Sequence, residues 1–432
     1  MVDIRELADK LWTGAIDLQD AHPVHARFPE GQELLPGVLY YKGLASANTI
    51  DTGEELVMLD TGAAQDTKTL FEVIRSWRPD RRLAAAVFSH HHVDHIFGVT
   101  PFEREADERH WARPLVYGHE DLNRNFDRYR KTSGWNTAIN IRQFAIPMER
   151  FRWPEQYRYP DVTYTNRMSF RSGDSTFELH HGRGETEDAT WTFVPERKLL
   201  APGDLFIWAT PNAGNPQKVQ RYCGEWAGAL REMASLGAET MLPGHGLPIF
   251  GADRVQAALT DTADLLDNLE GQVLALMNAG ATLDRVLHEV TIPQHLIAKP
   301  YLRPVYDHPQ FILRNVWRLY GGWYDGEPDN LLPAPRTEQA HEWVALAGGV
   351  DAVLKRAERL KDDGNFRMAC HLIEYAVIAE PSAKVHALRK EIYGAYSSVQ
   401  ESSMARNILN HASLASACTF ADGSAITAYS IR

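Results

Sequence analysis

A cluster of side chains that commonly bind metals lies directly after the apolar run 83–88. It has the pattern H-x-H-x-D-H and consists of His90, His92, Asp94 and His95. Along an extended chain His90 and His92 point to one side, and the turn that must follow brings the other two beside them. Two imidazoles with a third group can hold one Zn²⁺, and Asp94 with His95 can begin a second site about 3.5–4 Å away. The pattern predicts a two-metal site rather than a histidine-rich surface loop, because its lead-in reads as a buried strand.

The composition is that of a globular protein with no preference for polyanions. The chain has 432 residues, of which 44% are hydrophobic and 24% charged, enough for two or three domains. Its net charge of -12 argues against a nucleic-acid partner. Three dispersed cysteines, no signal-peptide pattern and no long apolar run predict a cytoplasmic protein without a membrane partner.

The elements before the histidine cluster read as a helix followed by a β-α-β unit. A helix is predicted over 4–12, and strands over 38–41, 46–50 and 55–59. The last strand ends at Asp60, whose carboxylate either supports a metal ligand through a hydrogen bond or belongs to a plain turn. A helix over 67–77 then leads to the strand 83–88. The histidine cluster therefore lies at the carboxyl end of a strand, where open α/β sheets bind ligands.

Later stretches supply a possible cover and three more candidate ligands. Residues 121–168, rich in Arg, Tyr, Trp and Asn, either cover the site or form a surface excursion. A strand over 176–179 precedes a glycine-bracketed turn that contains Glu185, and a following strand ends at Asp204, so hairpin topology brings both carboxylates to one rim. His245 follows another apolar strand and lies between two glycines, which let the backbone turn tightly beside a ligand.

These motifs, in this order and with the run Pro243-Gly244-His245-Gly246, resemble the metallo-β-lactamase superfamily over residues 1–254. The resemblance implies an α/β fold, an αββα sandwich, with two Zn²⁺ or other divalent metals. It implies that the first metal is held by His90, His92 and a residue of the third motif. It implies that the second is held by Asp94, His95 and His245, with Asp204 as the bridge. Asp94 and Asp204 are also the predicted catalytic residues, since either can orient an attacking water and accept its proton.

The third motif departs from the commonest form of the superfamily. Many members read H-x-x-G-H, whereas this chain reads H-G-R-G-E from His181 to Glu185 and places a carboxylate at the ligand position. The alkyl sulfatase branch has such a glutamate, and its spacing of 19 residues to the bridging acid is matched by Glu185 and Asp204. Glu185 is therefore the predicted ligand, with His180 or His181 as the alternative.

The C-terminal part resembles the dimerisation region of the alkyl sulfatases. A helical pattern over 255–276 has heptad-spaced apolar residues, which pack either against a partner helix or against the chain's own sheet. A W-Y-D-G-x-P turn at 323–328 precedes helices predicted over 337–361, 364–379 and 382–396. The predicted domains are a catalytic domain over 1–254, an all-α helical dimerisation domain over 255–415 and a tail over 416–432. The resemblance implies a homodimer.

Two departures bear on the substrate. Alkyl sulfatases usually continue into a sterol-carrier-like domain that gathers long alkyl chains, and we expect none here because the sequence ends at Arg432. The family also offers an arginine that grips the sulfate after the bridging acid, and residues 206–217 contain none. Five polar side chains are candidates for substrate contact, each with a structural role as its alternative: Arg183, Asn212, Asn215, Lys218 and Tyr222.

The resemblance implies a hydrolase of small molecules, in which metal-bound hydroxide cleaves a small or medium sulfate ester. The same metal chemistry on another ester, a lactone or a phosphoester is the first alternative. An iron-dependent redox enzyme of the same fold is a second, disfavoured because flavodiiron proteins carry glutamate where this chain has His92. A metal-free binding module is disfavoured because every ligand position holds a competent ligand.

Overall fold

The computed structural model describes residues 2–147 and 150–417. These residues form two compact units, the first comprising 2–131 and 154–323 and the second 132–153 and 324–417. The predicted tail, 416–432, lies outside the described residues except for its first two positions. None of the helices in the described ranges combines the length and the apolar character that a membrane span needs.

The first unit contains a seven-stranded sheet whose spatial order follows the chain. Its strands are β1 Phe28–Leu35, β2 Val38–Lys42, β3 Ser46–Asp51, β4 Leu56–Leu59, β5 Leu83–Val87, β6 Leu115–His119 and β7 Val162–Tyr164. Strands β1 to β4 pair antiparallel, and β4 to β7 pair parallel. The parallel strands need crossovers, which contain α2 Thr67–Trp77, α3 Thr100–Glu108 and α4 Asp121–Lys131.

A second sheet of six strands has the order β13-β12-β11-β10-β9-β8. Its strands are β8 Arg167–Ser172, β9 Ser175–His181, β10 Thr190–Val194, β11 Leu199–Ile207, β12 Thr240–His245 and β13 Ile249–Phe250. Only β11 and β12 pair parallel within this sheet, and α6 (Cys223–Ala234) lies in their connection.

The two sheets enclose an apolar layer. Val87 of β5 lies in one apolar cluster with Phe177 of the second sheet. On the opposite face of β5, Ala86 lies in a cluster with Leu70 of α2. A strand buried on both faces has no solvent side to carry polar residues, which explains the apolar sequence of Leu83–Val87.

Helices cover the outer face of the second sheet. They are α1 Ile4–Trp12, α6, α7 Ala252–Asn278, α8 Leu283–Glu289, α9 Gln294–Ile297 and α10 Pro309–Gly321. The heptad-spaced residues of α7, among them Leu266, Leu269 and Val273, are fully buried in the same cluster as Trp226 of α6. They pack within this unit, so the second of the two predicted alternatives is the observed one. The layers run helix, sheet, sheet, helix, as the sequence predicts.

The second unit is all-α. Its helices are α5 Ser133–Phe144, α11 Arg336–Leu346, α12 Val350–Asp362, α13 Phe366–Ala379, α14 Ala383–Ser398 and α15 Ser403–Ala417. The single helix predicted over 337–361 is two helices, because Gly348 and Gly349 adopt φ of 88° and 102° and end α11. The predicted helices 364–379 and 382–396 are observed as α13 and α14 within one or two residues at most of their ends.

Candidate metal centre

Four segments of the sandwich bring the seven predicted ligands together. The histidine cluster follows β5, Glu185 lies between β9 and β10, Asp204 lies in β11 and His245 ends β12. Two groups of potential ligand atoms result, each with all its atoms within 4.8 Å of one another. The first group is His90, His92, Glu185 and Asp204, and the second is Asp94, His95 and His245.

The first group joins two imidazoles to two carboxylates. His90 Nε2 and His92 Nδ1 are 2.8 Å apart, and Glu185 Oε2 lies 3.9 Å from each of them. Asp204 Oδ2 is 3.8 Å from His90 Nε2. Ligands about 2.0–2.2 Å from a tetrahedral zinc are separated by roughly 3.3–3.6 Å, so the observed distances bracket those of atoms that share one ion.

The second group converges on the same carboxylate. His245 Nε2 is 3.3 Å from Asp94 Oδ2 and 3.4 Å from Asp204 Oδ2. His95 Nε2 is 3.8 Å from Asp94 Oδ2 and 3.5 Å from Asp204 Oδ1. Asp204 therefore lies between the two groups, close to nitrogen atoms of both.

An irregularity in β11 directs Asp204 to this position. The sequence predicts a strand that ends at Asp204, but β11 runs on to Ile207, and its pairing with β12 shifts register on both sides of Gly203. Gly203 has φ +55°, and a Cβ there would lie 2.6 Å from the Ser89 side chain. A Cβ on Gly244 of β12 would lie 2.1 Å from Asp204 Oδ1. A bulge with small neighbours re-aims a side chain without ending the strand, which is why the predicted end is wrong.

Asp60 holds two of the histidines in place. Its Oδ2 is 2.8 Å from His95 Nδ1 and accepts from the Ser89 hydroxyl at 2.8 Å. Ser89 Oγ is in turn 2.9 Å from His90 Nδ1. Because His95 Nδ1 donates to the Asp60 carboxylate, the ring is fixed with its Nε2 directed toward Asp204 and Asp94. Of the two alternatives for Asp60, the supporting hydrogen bond is observed.

The two oxygens of Glu185 have different surroundings. Oε1 accepts hydrogen bonds from Asn212 Nδ2 and from Arg221 Nη1, while Oε2 faces His90 and His92. Arg221 is 1% exposed and also donates to the Asn212 carbonyl oxygen at 2.9 Å. One oxygen is thus anchored by the protein and the other is directed into the first group.

The alternative ligands, His180 and His181, lie elsewhere. The His180 ring stacks on Trp191, with centroids 3.9 Å apart. His181 stacks on His119 at 3.9 Å, and its Nδ1 is 3.1 Å from the Ala189 carbonyl oxygen. Neither belongs to a group of potential ligand atoms in the described part of the chain, whereas Glu185 does.

The charges divide the site into two parts. Burial lowers the pKa of His90 to about 4 and holds the pKa of His92 well below its usual range, so both rings are neutral. Burial also acts on His95 and His245, but the carboxylates of Asp204 and its neighbours outweigh it, and the pKa of His245 rises to about 9. Neutral imidazoles suit a metal at the first group, and a cation at the second group would replace the protons that the carboxylates draw to His95 and His245.

The donor set fits divalent metals. Two buried atoms that point into the site have no hydrogen-bond partner in the described residues, namely His95 Nε2 and Asp204 Oδ1. Buried polar atoms are normally paired, so each such atom needs an explanation. Imidazole and carboxylate together are the ligands of catalytic zinc, and no cysteine contributes to either group.

Comparison with known families agrees with this geometry. The metallo-beta-lactamase superfamily matches residues 41–245, and the alkyl sulfatase dimerisation family matches residues 282–416. The chain combines a metallo-beta-lactamase domain with an alkyl sulfatase dimerisation domain. The predicted fold class and family are thereby confirmed, and the metallo-beta-lactamase fold with its His/Asp groups indicates a site for divalent metal.

Curated relatives that align with most of this chain include alkylsulfatases. An (R)-specific secondary-alkylsulfatase of a Pseudomonas species is 28% identical over 378 residues, which are 82% of this chain and 57% of that enzyme. A linear primary-alkylsulfatase of another Pseudomonas is 26% identical, over 78% of this chain and 67% of that enzyme. The structure of the stereoselective inverting sec-alkylsulfatase Pisa1 from Pseudomonas is 25% identical with a TM-score of 0.81, covering 89% of this chain and 65% of that one. This chain therefore spans little more than half the length of the first of these relatives.

The five predicted substrate contacts are dispersed around the metallo-beta-lactamase domain. Asn212 is bound to Glu185, and Asn215 is buried and accepts from the Gln217 backbone N–H at 3.2 Å. Arg183 and Tyr222 form a pair in which the guanidinium carbon lies 3.8 Å from the ring centroid. Lys218 lies within the electrostatic reach of Asp94 and Glu185, which act on its pKa. Asn212 and Lys218 are thus the two that the fold places near the ligand groups.

Two further residues at the site have no assigned role in the sequence prediction. Arg221 is the partner of Glu185, and it lies four residues beyond the segment 206–217, which contains no arginine. Tyr306 has its pKa raised by burial and then by the carboxylates of Glu185 and Asp94, which places its phenol at the site. No signal in the sequence finds Tyr306, since it lies in the stretch that matches the dimerisation family.

Removal of the Asp60 charge is expected to weaken metal binding about 10–100-fold, the usual effect of losing a partner that orients a ligand. Asp60 has φ +57°, a conformation that asparagine tolerates, so Asp60→Asn changes the charge while keeping the backbone. Zinc affinity, measured by competition with a chromophoric chelator, checks the prediction. Ser89→Ala should have a smaller effect because it removes only the link to His90, and Asp80→Asn, at an exposed carboxylate, should have none. An unchanged affinity in Asp60→Asn would contradict the role.

Proposed function

We propose that this chain is a hydrolase that cleaves sulfate esters with the help of two divalent metal ions, zinc being the expected metal. The observation that carries the proposal is the position of Asp204, whose carboxylate lies within 3.8 Å of ring nitrogens of His90, His95 and His245. A carboxylate between two ligand groups can bridge two ions, as in hydrolytic two-metal centres. The alkylsulfatase relatives supply the substrate class.

Each ion has three protein ligands in this proposal, besides the shared carboxylate of Asp204. The first would be held by His90, His92 and Glu185, and the second by Asp94, His95 and His245. Such partial ligand sets leave coordination positions for water and substrate. When bound, the ions would lower the pKa of water and polarise the oxygen that gains charge as the ester bond breaks.

Asp94 and Asp204 orient the attacking water and accept its proton. Burial alone would raise the pKa of both carboxyls, but the adjacent rings of His95 and His245 outweigh it and hold both pKa values below their usual range. Both are therefore ionised at neutral pH and able to accept a hydrogen bond from water. A base within hydrogen-bond reach of the nucleophile is the geometric requirement for this step.

Lys218 attracts the anionic sulfate group of the substrate. Burial, with Arg221 nearby, lowers the pKa of its ammonium to about 7, while Asp94 and Glu185 act in the opposite direction. An anionic ester bound beside the amine favours the charged form, so binding itself would supply the cation. In this proposal Lys218 binds the sulfate group in place of the arginine that alkyl sulfatases offer after the bridging acid, because residues 206–217 contain no arginine.

Metal analysis joined to an ester panel tests the proposal. The purified full chain is expected to contain about two zinc ions, as two-metal hydrolases do, and to release sulfate from alkyl sulfates in a chelator-sensitive reaction. Two ions with turnover only of aryl sulfates, lactones or phosphodiesters would keep the metal site and overturn the substrate class. Iron with redox activity, or no bound metal, would overturn the hydrolase.

We also propose a homodimer. Residues 282–416 match the alkyl sulfatase dimerisation family, and the second unit exposes large apolar side chains, among them Trp343 (56% exposed) and Leu346 (77% exposed). Exposed apolar side chains of this size are typical of protein interfaces. Sedimentation of the same preparation should give the mass of two chains, and a single-chain mass at micromolar concentration would overturn the dimer.

A further inference from the structure

A hydrogen-bonded network of four side chains lies beside the predicted ligands, and the function proposed above does not use it. Its members are Asp188, His91, Arg128 and Glu187. His91 is 1% exposed and Asp188 is fully buried. His91 stands in sequence between two predicted ligands, and its ring centroid is 5.0 Å from that of His92. This network links the histidine cluster, the β9–β10 loop and α4.

The partners of His91 define its protonation. Its Nδ1 is 2.9 Å and 3.0 Å from the two oxygens of Asp188, and Arg128 Nη2 lies 3.0 Å from its Nε2. A guanidinium only donates, so Nε2 must accept and carries a lone pair. The single ring proton is therefore on Nδ1 and is donated to Asp188. His91 therefore accepts from Arg128, and a buried carboxylate fixes its orientation.

Arg128 is held from two sides by these contacts. Nη2 donates to His91 Nε2, while Nη1 donates to Glu187 Oε1 at 3.1 Å. The side chain is 29% exposed, so solutes can reach it. His91 orients the guanidinium of Arg128. Among these four residues, Glu187 supplies the one carboxylate in direct contact with that guanidinium. A fixed cation results, with its plane set by two hydrogen bonds.

The charged groups around Lys218 connect this cation to the ligand site. The pKa of Lys218 is lowered by burial and by Arg221, and it responds to Asp94 and Glu185 as well as to Arg128. Lys218 therefore lies within electrostatic reach of Arg128 and of carboxylates in both ligand groups, and Arg128 is joined to the histidine cluster by its hydrogen bond to His91. Two cations beside the ligand groups attract anions toward them.

We propose that Arg128 is a specificity-determining residue that binds the oxyanion end of the substrate, and that His91 and Asp188 are positioning residues that hold its guanidinium in place. The inference rests on the proposed function for the identity of that oxyanion, a sulfate group. Planar guanidinium groups bind tetrahedral oxyanions through paired hydrogen bonds. Arg128 lies on α4, before Glu185 in the chain, so it is distinct from an arginine that follows Asp204.

Direct binding of inorganic sulfate to the zinc-loaded full chain tests this inference without requiring turnover. Calorimetry on Arg128→Gln is expected to show at least about tenfold weaker sulfate binding than the wild type, equivalent to 1.4 kcal/mol. Arg128→Lys keeps the charge but loses the planar fork, and should recover part of the affinity. Arg130→Gln, on the same helix and well exposed, is the matched control and should bind sulfate like the wild type. Zinc content and thermal stability are measured for each variant.

The variant Glu187→Gln distinguishes a role of Arg128 in substrate binding from a purely structural role. Glutamine still accepts a hydrogen bond from Arg128, but it no longer opposes the cation, so sulfate should bind more tightly than in the wild type. If Arg128 and Glu187 only tie α4 to the loops, neither Arg128→Gln nor Glu187→Gln should bind sulfate more tightly than the wild type. Sulfate affinity of Arg128→Gln within twofold of the wild type would overturn the inference, and so would a wild-type protein that binds no sulfate.

Kinetics on the same variants distinguish failure of this inference from failure of the proposed function. With an alkyl sulfate substrate, Arg128→Gln should raise KM by the same factor as the sulfate dissociation constant and change kcat less. Sulfate binding that depends on Arg128, in a protein that hydrolyses no sulfate ester, would overturn the substrate class and keep the anion site. Hydrolysis of the alkyl sulfate with an unchanged KM in Arg128→Gln would keep the proposed function and overturn the role of Arg128 in binding the sulfate group.

Discussion

The Asp204→Asn variant is expected to lose at least one tightly bound metal ion and, since each metal ion stabilises the transition state by several kcal/mol, on the order of 10³-fold in kcat/KM. Asparagine keeps the volume of the side chain but removes the charge that lies between the two ligand groups. The neighbours at 3.8 Å, 3.5 Å and 3.4 Å, on His90, His95 and His245, would then face a neutral amide. Both groups weaken together because they share this one carboxylate.

Zinc stoichiometry by mass spectrometry and initial rates with an alkyl sulfate check this result. Asp253→Asn is the control, since Asp253 is an exposed aspartate at the start of α7 and should leave both readouts unchanged. A variant at position 204 that retains two ions and acts within tenfold of the wild type would exclude a bridging role. The metal count remains informative even if the substrate proves to be another ester.

The Arg221→Met variant is expected to lower the free energy of unfolding by about 3–5 kcal/mol when zinc has been removed, because it leaves a buried carboxylate without its partner. Glu185 is 3% exposed, and Arg221 and Asn212 are the donors to its Oε1. Bound zinc supplies positive charge to the same carboxylate if Glu185 is a ligand. The destabilisation should therefore be smaller in zinc than in chelator.

Thermal unfolding of the full chain, in chelator and in excess zinc, measures both effects. The double variant Arg221→Met with Glu185→Gln should recover part of the loss, because both charges of the pair are then gone. Arg231→Met is the matched control: Arg231 pairs with Asp264 and Asp267 but is 46% exposed, and the loss should stay below about 1 kcal/mol. Equal destabilisation with and without zinc would argue against Glu185 as a ligand.

Local patterns in the sequence predict the fold and the ligand candidates well. The ligands of the histidine cluster are adjacent in the chain, so their spacing after a buried strand is itself the signal. Glu185 and His245 lie at strand ends of the second sheet, as the sequence predicts, whereas Asp204 reaches the same rim from within β11 through the irregularity at Gly203. The roles of these residues in metal binding and catalysis stay predictions until the variants above are measured.

The supporting contacts could not be predicted, because they depend on which side chains the tertiary structure brings together. Asp60 could be recognised only as a turn residue with a possible role, and the fold decides that its carboxylate meets His95 and Ser89. The pairing of His91 with Asp188 joins two loops that no spacing rule connects. The shifted register of β11 at Gly203 was also missed, and the close approach of Ser89, which leaves no room for a Cβ at this position, is a tertiary contact.

The position of α8 to α10 limits how this chain can be divided or recombined. These helices lie in the stretch that matches the dimerisation family, yet they belong to the compact unit that contains both sheets. The loop after β11 depends on them: Thr210 Oγ1 donates to the Leu302 carbonyl oxygen at 2.6 Å, and the Gly214 N–H donates to Asp307 at 2.7 Å. Asn212 lies in that loop and binds Glu185. A gene fusion or exchange of modules at the family boundary would therefore remove the support of a predicted metal ligand, since the structural unit is longer than the metallo-beta-lactamase match.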